Sequence, residues 1–228
     1  QFSILTGGPG CGKTTATLVI VRLLEAIGKR VLLAAPTGRA AQRMGEVIGR
    51  EAKTLHRLLE WQGGEFKKNE EFQLEGDFLI VDECSMLDIS MTASLLKAIP
   101  ENCQLLFIGD PDQLPSVGAG NVLKDSIHSG EIPLFRLTQV FRQAKESLII
   151  RYAHQINSGE TPLIVSPFKD PDAWQRGDDC LFVDSDEATQ EQIRFVTRVK
   201  QNFGWQQDQL EALTEEESPY AFRSEEPV

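Results

Sequence analysis

The sequence predicts an α/β fold in which a parallel β-sheet is flanked by helices. Apolar runs of strand length alternate with helical stretches, and these runs are continuously hydrophobic, as strands covered on both faces require. A glycine-rich turn sits between the first strand-like and the first helix-like segment, the grammar of a βαβ unit.

In chain order, "FSILT" (2–6) reads as the first strand and "KTTATLVIVRLLEAI" (13–27) as the helix after it. "VLLAAP" (31–36) is the next strand, followed by helices over "GRAAQRMGEVI" (38–48) and "TLHRLLEW" (54–61). The polar stretch 61–76 has Gly63-Gly64 between Trp61 and Phe66, which suits a small β-hairpin insertion, with a plain surface loop as the competing reading. "FLIVDE" (78–83), "CQLLFIGD" (103–110) and "LFRLTQV" (134–140) supply three further strands, and "ISMTASLLKAI" (89–99) another helix.

With 228 residues, 41% of them hydrophobic, the chain can bury one sizeable core and part of a second. No apolar run approaches the roughly 18 residues of a membrane span, and no basic leader precedes the first strand, so a cytoplasmic location is expected. Cys11, Cys84, Cys103 and Cys180 lack zinc-site spacing and are expected to be reduced packing residues.

The net charge of -11 argues against a polyanionic partner until its distribution is read. Residues 170–228 hold 15 acids and 5 bases, whereas residues 1–169 are nearly balanced at 19 acids and 18 bases. Residues 28–57 carry seven bases against two acids, a locally cationic segment that is either a solvated face or a phosphate track.

"GGPGCGKT" matches G-x-x-x-x-G-K-[ST], a P-loop. Gly8, Pro9, Gly10, Cys11, Gly12, Lys13, Thr14 and Thr15 would cradle phosphate, with N–H groups converging at the positive end of a helix. Lys13 would serve the β- and γ-phosphates of ATP, and the Thr14 hydroxyl would complete a Mg2+ shell. A metal-bound triphosphate also needs a carboxylate on a neighbouring strand. Asp82 fits that Mg2+ role, and the adjacent Glu83 fits the base that activates water. In "GDPDQLPSV", Gln113 is a neutral amide suited to sensing a γ-phosphate, with Pro111 and Pro115 stiffening its flanks.

The ordered set "GGPGCGKTT", "APTGRAAQRM", "LIVDECSM", "GDPDQLPSV" and "LTQVFRQ" resembles motifs I, Ia, II, III and IV of superfamily 1 DNA helicases, most nearly the RecD-like branch in its stand-alone bacterial form. The resemblance covers about residues 1–160 and implies a first RecA-like motor domain there, with residues 161–228 an acidic linker and an incomplete remnant of a second such domain. It implies an ATP-dependent motor moving 5′ to 3′ on single-stranded DNA, acting as a monomer without membrane contact. Pro36, Thr37, Gly38 and Arg39 fall in the motif that grips DNA, and Thr54 and His56 in the next. Arg142 matches the motif IV arginine that touches the γ-phosphate, and the 61–76 insert sits where the family carries a strand-separating pin. A chain holding only this much is expected to bind nucleotide and not to unwind DNA.

Two rivals stay open. A P-loop small-molecule kinase is disfavoured by Glu83 beside Asp82 and by the lack of an evident lid, and a non-catalytic DNA-binding module by the joint presence of Lys13, Glu83, Gln113 and Arg142.

Overall fold

The computed structural model describes residues 1–140, 147–166, 170, 176, 178–182, 189–190 and 193–194. Two compact units divide the chain, Gln1–Lys145 and Glu146–Val228.

The first unit is built on a six-stranded sheet. Its strands are β1 (Phe2–Gly7), β2 (Val31–Ala35), β3 (Lys53–Thr54), β6 (Phe78–Val81), β7 (Gln104–Gly109) and β8 (Leu134–Leu137), in the spatial order β3-β2-β6-β7-β1-β8, with every pair parallel. The expected parallel sheet flanked by helices is therefore present. Helices α1 (Lys13–Ala26) and α2 (Gly38–Ile48) follow β1 and β2, which step across the sheet one way. Helices α4 (Ile89–Ala98) and α5 (Val122–Ser129) follow β6 and β7, which step the other way. Because parallel crossovers are right-handed, opposite directions of travel put the two helix pairs on opposite faces.

The core has the matching division. Side chains alternate across a strand, so Leu106 and Ile108 of β7 join Val21, Met44 and Ile48 beneath α1 and α2, whereas Leu105 and Phe107 join Leu95 and Leu123 beneath α4 and α5. Burial on both faces explains why the central strands β1, β6 and β7 read as continuous apolar runs, whereas the edge strand β8 leaves Phe135 and Arg136 exposed.

The helix expected over 54–61 is shorter than its pattern suggested. Only α3 (Leu55–Leu58) is helical, and Glu60 with φ 56° turns the chain into a hairpin of β4 (Trp61–Gln62) and β5 (Glu65–Phe66). Gly63 and Gly64, at φ 65° and 94°, supply the two left-handed residues that a tight hairpin turn needs. The sequence reading passed over α5, a short helix that ends at left-handed Gly130.

In the second unit, α6 (Leu148–Asn157) starts at Ser147, whose hydroxyl accepts from the Ile150 N–H at 3.4 Å. Asp179 accepts from the Ser147 hydroxyl at 2.6 Å and the Leu148 N–H at 2.7 Å, so two acceptors serve one helix start. Among the described residues no helix is long and apolar enough to cross a membrane, and the four cysteines are free thiols.

Candidate active site

Three neighbouring strands, β6, β7 and β1, end in line. Thr6 is level with Gly109, and Val81 with Phe107, so the residues that follow all emerge at one carboxyl edge. That edge is where open α/β sheets hold ligands.

From β1 the chain enters the loop Gly8–Gly12. Gly12 stands at φ 81° as the residue before α1, and no side chain caps the helix. The N–H groups of the first turn therefore lack intrahelical partners and present an anion-binding end. Ala16 N–H bonds the Gly12 carbonyl at 3.0 Å, and the Thr17 hydroxyl donates to the Lys13 carbonyl at 2.8 Å, which fixes the first turn. The Lys13 ammonium donates to the carbonyls of Gly7 at 2.6 Å and Gly8 at 3.3 Å, holding it across the loop. Cys11 is buried at 5% exposure, so in this loop it acts as a small packing group and its N–H reaches the Gly8 carbonyl at 3.4 Å.

At the end of β6, the Asp82 N–H continues the ladder to the Ala34 carbonyl at 3.0 Å, and the Asp82 carboxylate accepts the Glu83 N–H at 2.8 Å. Glu83 adopts φ 54°, a left-handed conformation that costs a non-glycine residue about 1–3 kcal/mol and that clusters at functional sites. It opens the 3-10 turn Cys84–Met86, whose Met86 N–H returns to the Glu83 carbonyl at 3.1 Å. The Cys84 thiol donates to the Val81 carbonyl at 3.1 Å, and burial pushes its pKa well above the ordinary thiol value, so it stays protonated and structural.

Burial raises the Asp82 carboxyl above its ordinary value, against the opposing pull of the Glu83 N–H, Lys13 and Arg43. Burial also raises Glu83, helped by the Asp82 and Asp110 charges and opposed by Lys13 and Arg43. Two acids thus share one desolvated edge with two cations. Arg43, on α2, was counted in the sequence only as part of the cationic segment, and Asp110 was not singled out. Their bearing on the acid pair is a tertiary relationship between separate elements.

Asp110 is 2% exposed at the end of β7. Its carboxylate accepts the Asp112 N–H at 3.1 Å and its carbonyl the Gln113 N–H at 3.2 Å, which shapes the turn that presents Gln113 with an exposed side chain. The Ser116 hydroxyl ties the loop to the Gly118 and Gly120 carbonyls at 2.9 and 2.7 Å. Arg142 lies outside the described residues.

The second set of expected residues gathers further along the same edge. Ala35 pairs with Thr54, so the ends of β2 and β3 adjoin. Past the β2 end come Pro36 and then Thr37, whose hydroxyl caps α2 by accepting the Ala40 N–H at 3.3 Å; Gly38 and Arg39 are exposed. Thr54 caps α3 by accepting the Arg57 N–H at 3.2 Å, and exposed His56 packs against Trp61 and Phe66. Two capped helix starts thus lie together in the cationic segment.

Among curated proteins, the chain is 46% identical over 162 residues to the ATP-dependent RecD2 DNA helicase of Deinococcus radiodurans, a match covering 71% of this chain and 22% of that protein. It is 40% identical over 152 residues to the RecBCD enzyme subunit RecD of Mycolicibacterium smegmatis, covering 55% of this chain and 27% of the subunit. The chain thus spans about a quarter of the length of the relatives it matches. The crystal structure of the Pif1 helicase from Candida albicans superposes with a TM-score of 0.50 at 23% identity, covering 90% of this chain and 52% of that one, which shows a shared fold. The family model described as an AAA domain matches residues 1–119, from β1 through the Gln113 loop. The chain belongs to this AAA domain family, and within it is similar to the RecD and RecD2 helicases.

Proposed function

We propose that this lobe is the nucleotide-hydrolysing part of an ATP-dependent DNA helicase that moves 5′ to 3′ along single-stranded DNA as a monomer. The observation that carries the reading is the alignment of the β1, β6 and β7 ends, which sets the Lys13 ammonium against the Asp82–Glu83 pair at one edge.

In this reading the first-turn N–H groups of α1 hold the phosphates, and Lys13 exchanges the Gly7 and Gly8 carbonyls for phosphate oxygens. The residues at the edge suit magnesium: Thr14 offers a hydroxyl at the loop and Asp82 a half-buried carboxylate within reach of the Lys13 and Arg43 charges. Bound there, the ion would supply charge neutralisation at the phosphate oxygens. Glu83 takes the proton of the attacking water, and its raised pKa brings it closer to the operating pH of a general base. Gln113 reads the γ-phosphate from the adjoining loop, and Arg142 is assigned to the same phosphate.

Pro36, Thr37, Gly38, Arg39, Thr54 and His56 form the proposed DNA contact. Exposed Gly38, Arg39 and His56 and the cationic surroundings suit phosphates, and β2, which leads into this segment, pairs directly with β6, which carries the acid pair.

The reading is tested by ATP hydrolysis measured with and without single-stranded DNA in the protein carrying this lobe. Stimulation by DNA supports it, whereas hydrolysis indifferent to DNA, or phosphate passed to a small-molecule acceptor, rejects it.

A further inference from the structure

Away from the phosphate loop, a cleft of about 650 Å3 opens between the hairpin and α4, a volume in the range of small-molecule sites. One wall is aromatic. Trp61 and Phe66 are direct cross-strand partners with ring centroids 4.6 Å apart, and His56 lies 6.1 Å from the first ring and 5.8 Å from the second. This packing braces the wall, yet Trp61 remains 50% exposed, so much of its indole lines open space. The opposite wall, on α4, is mixed, with the Met91 thioether beside the Ser90 and Ser94 hydroxyls.

Lys68 and Lys97 also line the cleft. Lys97 makes a long surface ion pair with Glu70 at 3.8 Å, and Lys68, 24% exposed, pairs with Glu60 at 4.0 Å and donates to the Gln73 carbonyl at 3.5 Å. Such pairs contribute little and exchange readily for another anion. His56 belongs both to this cleft and to the proposed DNA contact, so the cleft continues from the end of the cationic segment.

We propose that the cleft between the hairpin and α4 receives one unpaired nucleobase of a single strand, stacked on Trp61, with Lys68 and Lys97 meeting the flanking phosphates. The inference rests on the DNA-binding reading above and adds a base-capturing site to it. A planar heterocycle fits this lining because the aromatic wall accepts a π-face while the hydroxyls and the neighbouring Asp88 carboxylate meet its polar edge. Stacking tolerates any base, so the aromatic wall supplies affinity that does not depend on sequence.

The test is a fluorescence titration of the full chain with oligothymidylate and with an abasic oligomer carrying the same number of phosphates. Oligothymidylate is expected to quench Trp61 and to bind about tenfold more tightly than the abasic strand. Trp61→Phe should lose the quench while keeping most of the affinity. Ser94→Trp fills the cleft from α4 and leaves the aromatic wall intact; it should erase the tenfold difference. Equal binding of both oligomers with Trp61 emission unchanged would overturn the base site and leave the DNA reading standing. Failure of both oligomers to bind would overturn the two together.

Discussion

The Lys13 ammonium donates a 2.6 Å hydrogen bond to the carbonyl of Gly7, six residues earlier, spanning the loop between β1 and α1. The same ammonium lowers the pKa of both Asp82 and Glu83, whose carboxyls burial raises. One cation therefore links the loop to the acid pair. Lys13→Ala should reduce ATP hydrolysis by about a hundredfold or more, the usual scale for losing a preorganised charge at a reacting phosphate. A steady-state phosphate-release assay checks this, and near-normal turnover would remove Lys13 from its assigned role.

Glu83→Gln should abolish hydrolysis and still stabilise the lobe at neutral pH. The Glu83 pKa is raised in the folded chain, so its ionised form costs stability, and that cost grows as pH rises through the raised value. The variant carries no such charge. Its melting temperature should exceed wild type by about 1–3 °C at pH 7–8, a modest gain because Glu83 is only half-buried. The advantage should shrink as pH falls toward the ordinary value of 4.5. Thermal melts from pH 8 to pH 4 check the trend, and a gain that grows on acidification would contradict it.

Asp88 caps α4 through the Met91 N–H at 2.7 Å. Asp88→Ala should cost about 1 kcal/mol and lower the melting temperature by about 2–4 °C, while Asp88→Asn, which keeps the acceptor, should stay close to wild type. Equal melts for the two variants would show that packing alone holds this helix start.

Gln113→Ala should keep Mg·ADP binding and lower stimulation of hydrolysis by single-stranded DNA about fivefold or more, the lower end of typical coupling between sites. Unaltered stimulation would reject Gln113 as the sensor.

The parallel sheet, the glycine-rich loop between β1 and α1 and the position of Asp82 and Glu83 at a strand end were legible because each leaves a pattern along the chain: continuous apolar runs, fixed glycine spacing and two acids directly after a strand. The 54–61 stretch misled because Leu55, Leu58 and Leu59 repeat at helical spacing, yet Leu59 is fully buried just after the helix ends and Glu60 turns left-handed. Nothing in a glutamate foretells φ 54° at Glu83, a conformation more often taken by glycine or asparagine. The pull of Arg43 on Asp82 and Glu83 depends on α2 packing beside β2 and β6, so no local spacing encodes it. Trp61, Phe66 and His56 were each visible, but the cleft they form needs α4 as its second wall.

Whether the loop, the acids and the amide serve one phosphoryl group is tested most directly by calorimetric titration of the chain with Mg·ADP, alone and with fluoroaluminate in the γ position. The account predicts that wild type binds Mg·ADP and gains affinity from fluoroaluminate, that Lys13→Ala weakens both, and that Glu83→Gln and Gln113→Ala keep ADP binding and lose the gain. Absence of Mg·ADP binding, or a fluoroaluminate gain untouched in both Glu83→Gln and Gln113→Ala, would contradict it.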